Sequence, residues 1–342
     1  MIQILKQRLF PKGIKRSSSF YTNRLFRRVS PGMLEKDLIA LGLVRGDIVC
    51  VHSSLSSLGY LINGSRSIIT AIRQIVGRPG TIMMPTFTGG GSTYAYVTSG
   101  PEPFERDKTA STTGLLCEIF RQIPEVERSL HPTHSVAVLG PNAKDWIEGH
   151  ENSITPFGDN TPYDRLIRED GKVLLLNVNA NSLMHRIQEI IDWPNHYLDE
   201  LFPIKIMDKN NVKTVETAVH SPGPFSHVVL PGKRKNEIRF VHIPSYAIPF
   251  FPGQKKNDFF QQFRRDTVHF LKQRLQWFLD EGIVHKGKVG YGQAMLLDAG
   301  RFAERLTKDM RRHLDLNPDL YHRKRLKQMK ENGTCNGTMP VV

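Results

Sequence analysis

A serine-rich segment follows the first apolar run of the chain and has the composition of a ligand-binding loop. The residues after His52 are Ser53, Ser54, Leu55 and Ser56. At the carboxyl end of a strand in an open α/β sheet, such a loop can direct backbone N–H groups and hydroxyls toward a diphosphate or a carbonyl oxygen. The pattern is neither GxGxxG nor a Walker loop, which argues against nicotinamide cofactors and P-loop nucleotides. A turn whose serines only satisfy their own backbone explains the same composition.

Two histidines, His131 and His134, precede another apolar run at 136–139. In an extended segment their side chains tend to point to opposite faces, and no HExxH motif or nearby carboxylate completes a zinc ligand set. We therefore expect no metal at this pair. One histidine should line a polar pocket while the other packs or caps the turn, and the spacing does not distinguish the two roles.

The third candidate is a histidine that follows the most hydrophobic run, residues 173–178. A helix capped by Asn181 or Ser182 would place His185 and Glu189 four residues apart on one face, where the carboxylate can hold an imidazole N–H. A histidine held in this way suits general-base catalysis, because its reference pKa near ~6.5 leaves the second nitrogen unprotonated at pH 7. The alternative is an ordinary surface pair of histidine and glutamate.

Apolar runs and amphipathic segments alternate along the chain and must position these residues. Ser30, Pro31 and Gly42 bracket a predicted helix whose leucines recur at helical spacing. Residues 86–113 are rich in Gly, Thr, Ser and Pro and predict a long loop over the site. The remaining elements are predicted as strands at 48–51, 81–84, 136–139, 173–178 and 238–243 and as helices at 65–76, 113–121 and 260–279. Strands interleaved with helices are typical of a layered α/β protein.

The positive charge of the chain is concentrated at its ends. Of the net charge of +14, residues 1–30 contribute +8 and residues 321–342 contribute +4, which leaves +2 for the body. A nucleic-acid enzyme usually carries its positive charge on the folded face that meets the phosphates, so we expect no nucleic acid at the core. We predict a basic N-terminal extension at 1–29, one folded domain at 30–313 and a basic flexible tail at 314–342.

The cysteines and the hydropathy pattern predict a cytoplasmic protein. Cys50, Cys117 and Cys335 form no CxxC pair and indicate neither a disulfide framework nor a thiolate zinc site. No stretch reaches the ~18 apolar residues of a membrane span. The acid-free leader is also similar to a transit peptide or a membrane-surface helix, so weak contact of the tails with an anionic surface is a second expectation. No pattern predicts an oligomeric state.

Taken together and in order, six segments resemble the aminoglycoside 3-N-acetyltransferases, the antibiotic N-acetyltransferase family that is unrelated to the GNAT acetyltransferases. The resemblance covers residues 34–200 well and 201–310 loosely. The segments are 46–59, 80–88, 113–116, 128–135 with its His-Pro-Thr-His-Ser motif, 161–164 and 181–185, with a weaker match at 289–298. The resemblance implies an α/β/α sandwich with a central mixed sheet, acetyl-CoA as co-substrate, no metal, and direct acetyl transfer to an amine without an acyl-enzyme.

The resemblance also implies residue roles. His185 would be the base that takes a proton from the acceptor nitrogen, and an acidic side chain would position it. The family's acid usually follows the histidine by three residues, where this chain has Gln188, so we expect Glu189 at the fourth position to be the partner. The residues implied to surround the pantetheine and diphosphate of coenzyme A are Ser53, Ser54, Leu55, Ser56 and Thr86.

The expected acceptor is a small-molecule amine, with His131 and His134 on the substrate side of the site. A polycationic antibiotic is best bound by an acidic cleft, and the near-neutral body shows no large excess of carboxylates. We therefore favour an amino sugar over a role as a dedicated resistance enzyme.

Two other classes of function are compatible with parts of the sequence. A hydrolase of esters or thioesters could use a serine of residues 53–57 with His185 and Glu189, although the chain has no GxSxG elbow. A non-catalytic module could bind RNA or an anionic membrane through the basic tails. Neither class accounts for the ordered internal segments.

Overall fold

A computed structural model describes residues 25–90, 93–178, 181–192, 196–220, 227–231, 238–242 and 275–316. Its strands are β1 (Arg28–Val29), β2 (Ile48–Ser53), β3 (Tyr60–Leu61), β4 (Thr81–Pro85), β5 (Phe104–Glu105), β6 (Glu127–Arg128), β7 (Val136–Leu139), β8 (Lys172–Leu176), β9 (Tyr197–Asp208), β10 (Asn211–His220), β11 (His227–Pro231), β12 (Ile238–His242), β13 (Val284–Val289) and β14 (Gly292–Asp298). Its helices are α1 (Pro31–Leu41), α2 (Arg66–Val76), α3 (Thr93–Thr98), α4 (Leu115–Arg121), α5 (Ala143–Ile147), α6 (Pro162–Arg168), α7 (Leu183–Ile190) and α8 (Ala299–Leu316). Within these ranges, no helix is both long and apolar enough to span a bilayer.

The apolar runs of the sequence form the interior of a mixed seven-stranded sheet. Its strand order is β13-β14-β8-β2-β4-β7-β6. The middle strands β8, β2 and β4 are parallel, and the strands added on either side are antiparallel. Every residue of β4 and β7 is buried, which is why these strands read as continuous apolar runs rather than alternating ones. The predicted mixed central sheet is confirmed.

The two faces of this sheet bury alternate residues against separate helical layers. Val49 and Val51 of β2 belong to the core that α1, α2 and α4 cover, whereas Cys50 between them belongs to the core under α5, α6, α7 and α8. Val173 and Leu174 of β8 divide in the same way. Since side chains of a strand alternate with a period of two, both faces need a cover, and the α/β/α sandwich follows.

Helix α1 shows how local signals set the element boundaries. The Ser30 hydroxyl accepts a hydrogen bond from the Met33 N–H at 3.2 Å, and Pro31 occupies the first helical turn. Gly42 ends the helix with a φ of 109°, a left-handed conformation that costs a glycine little. The helix predicted between Ser30 and Gly42 is therefore confirmed, and its buried leucines pack on the sheet.

The segment predicted as a long loop, residues 86–113, contains two elements. It includes α3 and β5, and β5 pairs with β9 in a second sheet of order β10-β9-β5. The β9–β10 hairpin is absent from the sequence-based prediction. The strand predicted at 238–243 is observed as β12, paired with β11. Of the helix predicted at 260–279, residues 275–280 are helical and the rest lies outside the described residues.

The predicted domain boundaries differ slightly from the observed elements. Arg28 and Val29 were assigned to the N-terminal extension, but they pair with β3, and Val29 is buried. Helix α8 continues to Leu316, beyond the predicted end at residue 313. The rest of the two basic tails, residues 1–24 and 317–342, lies outside the described residues.

Candidate active site

The loop after β2 and the start of α7 meet at one edge of the central sheet. Strands β2 and β8 are parallel and end in register, with Ser53 opposite Leu176. The Ser54 N–H donates to the Leu176 carbonyl at 2.8 Å, and the Ser182 N–H approaches His52 Nε2 at 3.5 Å. Ligands of open α/β sheets bind at this carboxyl edge of the strands, so the geometry places both predicted segments at a suitable location.

The predicted base lies in the first turn of α7. Leu183 and Ile187 anchor the helix in the apolar core, and His185 is half-buried on the same turn. The Phe157 ring lies 4.9 Å from the imidazole, measured between ring centroids. The helix predicted after the apolar run at 173–178 is confirmed as α7, and it begins one residue after Ser182.

Histidines from three other segments surround His185. His196 precedes β9 and His220 ends β10, and the centroid of the His220 ring lies 4.4 Å from that of His185 and 4.8 Å from that of His196. His134 lies 5.4 Å from His220. Sequence reasoning missed His196 and His220, because each is an isolated histidine and only the β9–β10 hairpin brings them to α7. Burial, and to a lesser extent the proximity of His185, lowers the pKa of His196 to about 3.

The structure assigns different roles to the two histidines of the His-Pro-Thr-His-Ser motif. His131 Nδ1 accepts hydrogen bonds from the backbone N–H groups of His134 at 3.1 Å and Thr133 at 3.4 Å, so His131 caps this turn. The His134 ring instead contacts His220 and the edge of Phe87. Burial lowers the pKa of both histidines well below the ordinary value. Contact of either one with substrate stays a prediction.

His150 packs against His131 of this motif and is held by hydrogen bonds on both of its ring nitrogens. Its Nε2 lies 3.0 Å from the Pro156 carbonyl and its Nδ1 lies 2.9 Å from the Ser129 hydroxyl. A carbonyl only accepts, so Nε2 carries the proton and Nδ1 accepts from the hydroxyl. The ring centroid lies 4.7 Å from that of His131, and burial lowers the pKa of His150 to about 4. The neutral imidazole therefore fits this position.

The carboxylate of Glu189 connects α7 to the start of β9. It accepts hydrogen bonds from the hydroxyls of Tyr197 and Thr155, the latter at 3.0 Å. Burial raises the pKa of Glu189, and the hydrogen bond from Tyr197 opposes this effect. The Tyr197 ring in turn lies 4.7 Å from His220. Glu189 thus reaches the histidine cluster through Tyr197, and its predicted direct partnership with His185 stays a prediction.

Thr86, expected from the resemblance to contact coenzyme A, is completely buried. Its hydroxyl lies 3.0 Å from the Ser135 hydroxyl and accepts from Arg128 Nε at 3.1 Å. Thr86 joins β4 to the start of β7 through the buried guanidinium of Arg128. The predicted contact of Thr86 with coenzyme A stays a prediction.

The serine-rich loop remains accessible. Residues Leu55–Ser57 form one turn of 3-10 helix, and the side chains from Ser53 to Ser56 range from half-buried to exposed. This location at the sheet edge suits a coenzyme A contact, and the predicted contacts of Ser53, Ser54, Leu55 and Ser56 stay predictions.

The carboxylates beside α7 are paired with arginine. Arg186 Nη2 contacts Asp159 at 2.5 Å and Asp164 at 2.7 Å, and Arg168 Nε contacts Asp164 at 2.9 Å. Asp164 thus lies between two guanidinium groups, whereas the Asp159 side chain is 84% exposed.

Comparison with known proteins gives a consistent result. The sequence is 32% identical over 189 residues to aminoglycoside N(3)-acetyltransferase VII of Streptomyces paromomycinus, which covers 51% of this chain and 65% of that protein. It is 34% identical over 170 residues to aminoglycoside N(3)-acetyltransferase III of a Salmonella species, covering 45% and 58%. The matched part thus spans less than two thirds of the length of these curated relatives.

Solved structures show the same fold. The aminoglycoside acetyltransferase AAC(3)-Xa superposes with a TM-score of 0.63 at 24% identity and covers 84% of this chain and 94% of that one. AAC-IIIb, solved as a binary complex with CoASH, superposes with a TM-score of 0.62 at 20% identity and covers 84% and 97%. Residues 50–311 match the family described as aminoglycoside 3-N-acetyltransferase, and the chain belongs to that family.

Proposed function

We propose that this protein transfers the acetyl group of acetyl-CoA to an amine, with His185 as the general base. The observation that carries the proposal is the position of His185 in the first turn of α7, at the sheet edge where β2 and β8 end, in a chain of this family. The relatives' names support acetyl transfer to aminoglycosides, and the CoASH complex of AAC-IIIb supports coenzyme A as the carrier.

The proposed reaction is a direct displacement at the thioester. The acceptor nitrogen attacks the acetyl carbonyl carbon, a C–N bond forms, and the C–S bond breaks. A ring nitrogen of His185 takes the proton that the nitrogen loses, and that proton finally reaches the coenzyme A thiolate. No acyl-enzyme forms, so neither a serine of the 53–57 loop nor a cysteine is needed as nucleophile.

Positioning and proton transfer contribute unequally to such a reaction. Holding an amine against a thioester in reacting geometry lowers the barrier by about 7–11 kcal/mol, whereas a positioned base contributes about 10²- to 10⁴-fold in rate. Phe157 and the surrounding histidines limit the motion of the His185 ring. A chain that lacks the base should therefore keep a small residual activity.

The charges around the cluster indicate the class of acceptor. Arg186 pairs with both Asp159 and Asp164, which compensates part of the negative charge beside α7, and the body of the chain carries a net charge of only +2. We propose an acceptor that carries few positive charges, such as an amino sugar, with aminoglycosides as the class known from the relatives. We thus expect an amino sugar to be a better acceptor than a polycationic antibiotic.

Release of the coenzyme A thiol tests the proposal. The purified protein is incubated with acetyl-CoA and a panel of amino sugars and aminoglycosides, and thiol formation is followed with a chromogenic disulfide. Thiol release that requires an amine, with one acetyl group found on the amine by mass spectrometry, is the expected result. Equal thiol release without any amine would identify a thioester hydrolase instead, and turnover of aminoglycosides alone would reject the proposed rank of acceptors.

A further inference from the structure

Three imidazoles from three different elements converge beside α7. His185 lies on α7, His196 immediately before β9 and His220 at the end of β10. One ring nitrogen from each residue lies within 4.8 Å of the other two. Among the described residues, His196 Nε2 is buried and has no hydrogen-bond partner. This set is distinct from the His131 and His134 pair of the sequence motif.

Three imidazole nitrogens in this arrangement match the ligand set of an open zinc site. Zn²⁺ binds three protein nitrogens at about 2.0–2.1 Å and leaves its fourth tetrahedral position open. Two ligands of such an ion lie roughly 3.4 Å apart, so nitrogens that are separated by as much as 4.8 Å need to approach by up to about 1.4 Å. The three side chains are half-buried rather than fully enclosed, so small rotations about their χ angles would bring the nitrogens to ligating distance.

We propose that His185, His196 and His220 form a binding site for one divalent transition-metal ion of the zinc type. Glu189 would act on this site indirectly rather than as a ligand, since it accepts a hydrogen bond from the hydroxyl of Tyr197, and the Tyr197 ring packs on His220. Asp159 and Asp164 are paired with Arg186. With no carboxylate among the three ligands, the ion would keep its positive charge.

Occupation of this site has a consequence that rests on the proposed transferase function. An imidazole that ligates a metal with the nitrogen required for proton abstraction can no longer act as a base. Metal binding should therefore inhibit acetyl transfer reversibly, and removal of the metal should restore it. The binding itself does not depend on which reaction the protein catalyses.

Direct binding measurements test the site. Chelator-treated full-length protein is titrated with Zn²⁺ in competition with a chromogenic chelator, and with Co²⁺ to record its visible spectrum. One equivalent of Zn²⁺ and the intense visible bands of a four-coordinate Co²⁺ complex are expected. His196→Gln and His220→Gln should each weaken zinc binding at least about tenfold. His285→Gln, at an exposed histidine of β13, is the matched control and should leave the affinity unchanged.

The outcomes separate the metal site from the transferase proposal. Wild-type protein that binds no zinc equivalent, or a loss of affinity in His285→Gln equal to that in the cluster variants, would overturn the site. This conclusion holds whatever the acetyl-transfer assay shows. If circular dichroism shows that one of the two cluster variants fails to fold, the other cluster variant and the Co²⁺ spectrum of the wild-type protein test the metal site instead. Inhibition of transfer by Zn²⁺ that is weaker in His196→Gln and is reversed by chelator would further support the site.

Discussion

Replacement of Arg128 by methionine should destabilise the protein strongly, because its guanidinium is a buried junction. Arg128 is 2% exposed. Its Nε donates to the hydroxyls of Thr86 and Ser135 at 3.1 Å, and its Nη2 donates to the Thr86 carbonyl at 2.8 Å. Its Nη1 donates to the carbonyls of Arg106, at 2.9 Å, and Thr109. One side chain therefore connects β4, β6, β7 and the segment after β5.

The size of the effect follows from the groups left without a donor. Methionine keeps an apolar stem of similar length but donates no hydrogen bond. The part-buried carbonyls of Arg106 and Thr109 lose this donor. A fully buried acceptor left unsatisfied costs about 1–3 kcal/mol, and partial contact with water places these two near the lower end of that range. The contact of the guanidinium with the Phe104 ring, at 4.9 Å from its centroid, is also lost and is worth about 0.5–2 kcal/mol. The free energy of unfolding should fall by about 3–5 kcal/mol.

Urea unfolding followed by tryptophan fluorescence measures this change. With a slope of about 3 kcal/mol per molar urea, the unfolding midpoint should fall by about 1–2 M. The matched control is Arg73→Met, since Arg73 pairs with Glu125 at 3.4 Å on the surface and both side chains are more than half exposed. An exposed pair contributes less than about 1 kcal/mol. An equal shift of the midpoint in both variants would refute the assigned role of Arg128.

Three further changes have defined expectations. His150 has a pKa of about 4 in the folded protein, below its value near ~6.5 in the unfolded chain. Its contribution to stability is therefore fully present above pH ~6.5 and falls by about 1.4 kcal/mol per pH unit as the pH is lowered to about 4. His150→Gln should remove this part of the pH dependence of the unfolding free energy, measured by urea titrations across that range. Gly59→Ala should lower the melting temperature, because φ is 105° and the new Cβ would lie 2.6 Å from a backbone carbonyl oxygen, whereas Gly32→Ala has no atom within 4 Å and should not. If Glu189 positions the base, Glu189→Gln should lower kcat at least about tenfold, and adding Gln188→Glu to this variant should restore part of kcat. An unchanged kcat in Glu189→Gln would exclude that role.

Much of the sandwich could be predicted because its signals are local. The cap at Ser30, the glycine at 42 and the buried runs at 136–139 and 173–178 each depend on neighbours in the chain, and each predicts an observed element. His185 was found for the same reason, since it follows a buried strand and starts a helix. Fold and family recognition therefore rest on features that a sequence displays directly.

The remaining part of the site depends on contacts between distant segments. The first four residues of β10, Asn211 to Thr214, are all exposed and include one apolar side chain, so they give little sign of a strand. His196 and His220 approach His185 only after β9 and β10 have paired. The burial of Thr86 likewise depends on Arg128, which lies 42 residues later in the chain. Spacing along the chain carries no signal for such contacts.

The acetyl-transfer rate of His185→Ala tests the central claim most directly. Steady-state turnover with the best amine of the panel is compared between this variant and the wild type, with coenzyme A affinity measured by calorimetry on both proteins. Turnover should fall by about 10²- to 10⁴-fold while the affinity for coenzyme A changes little. Turnover close to that of the wild type, in a variant that binds coenzyme A normally, would contradict the assignment of His185 as the base.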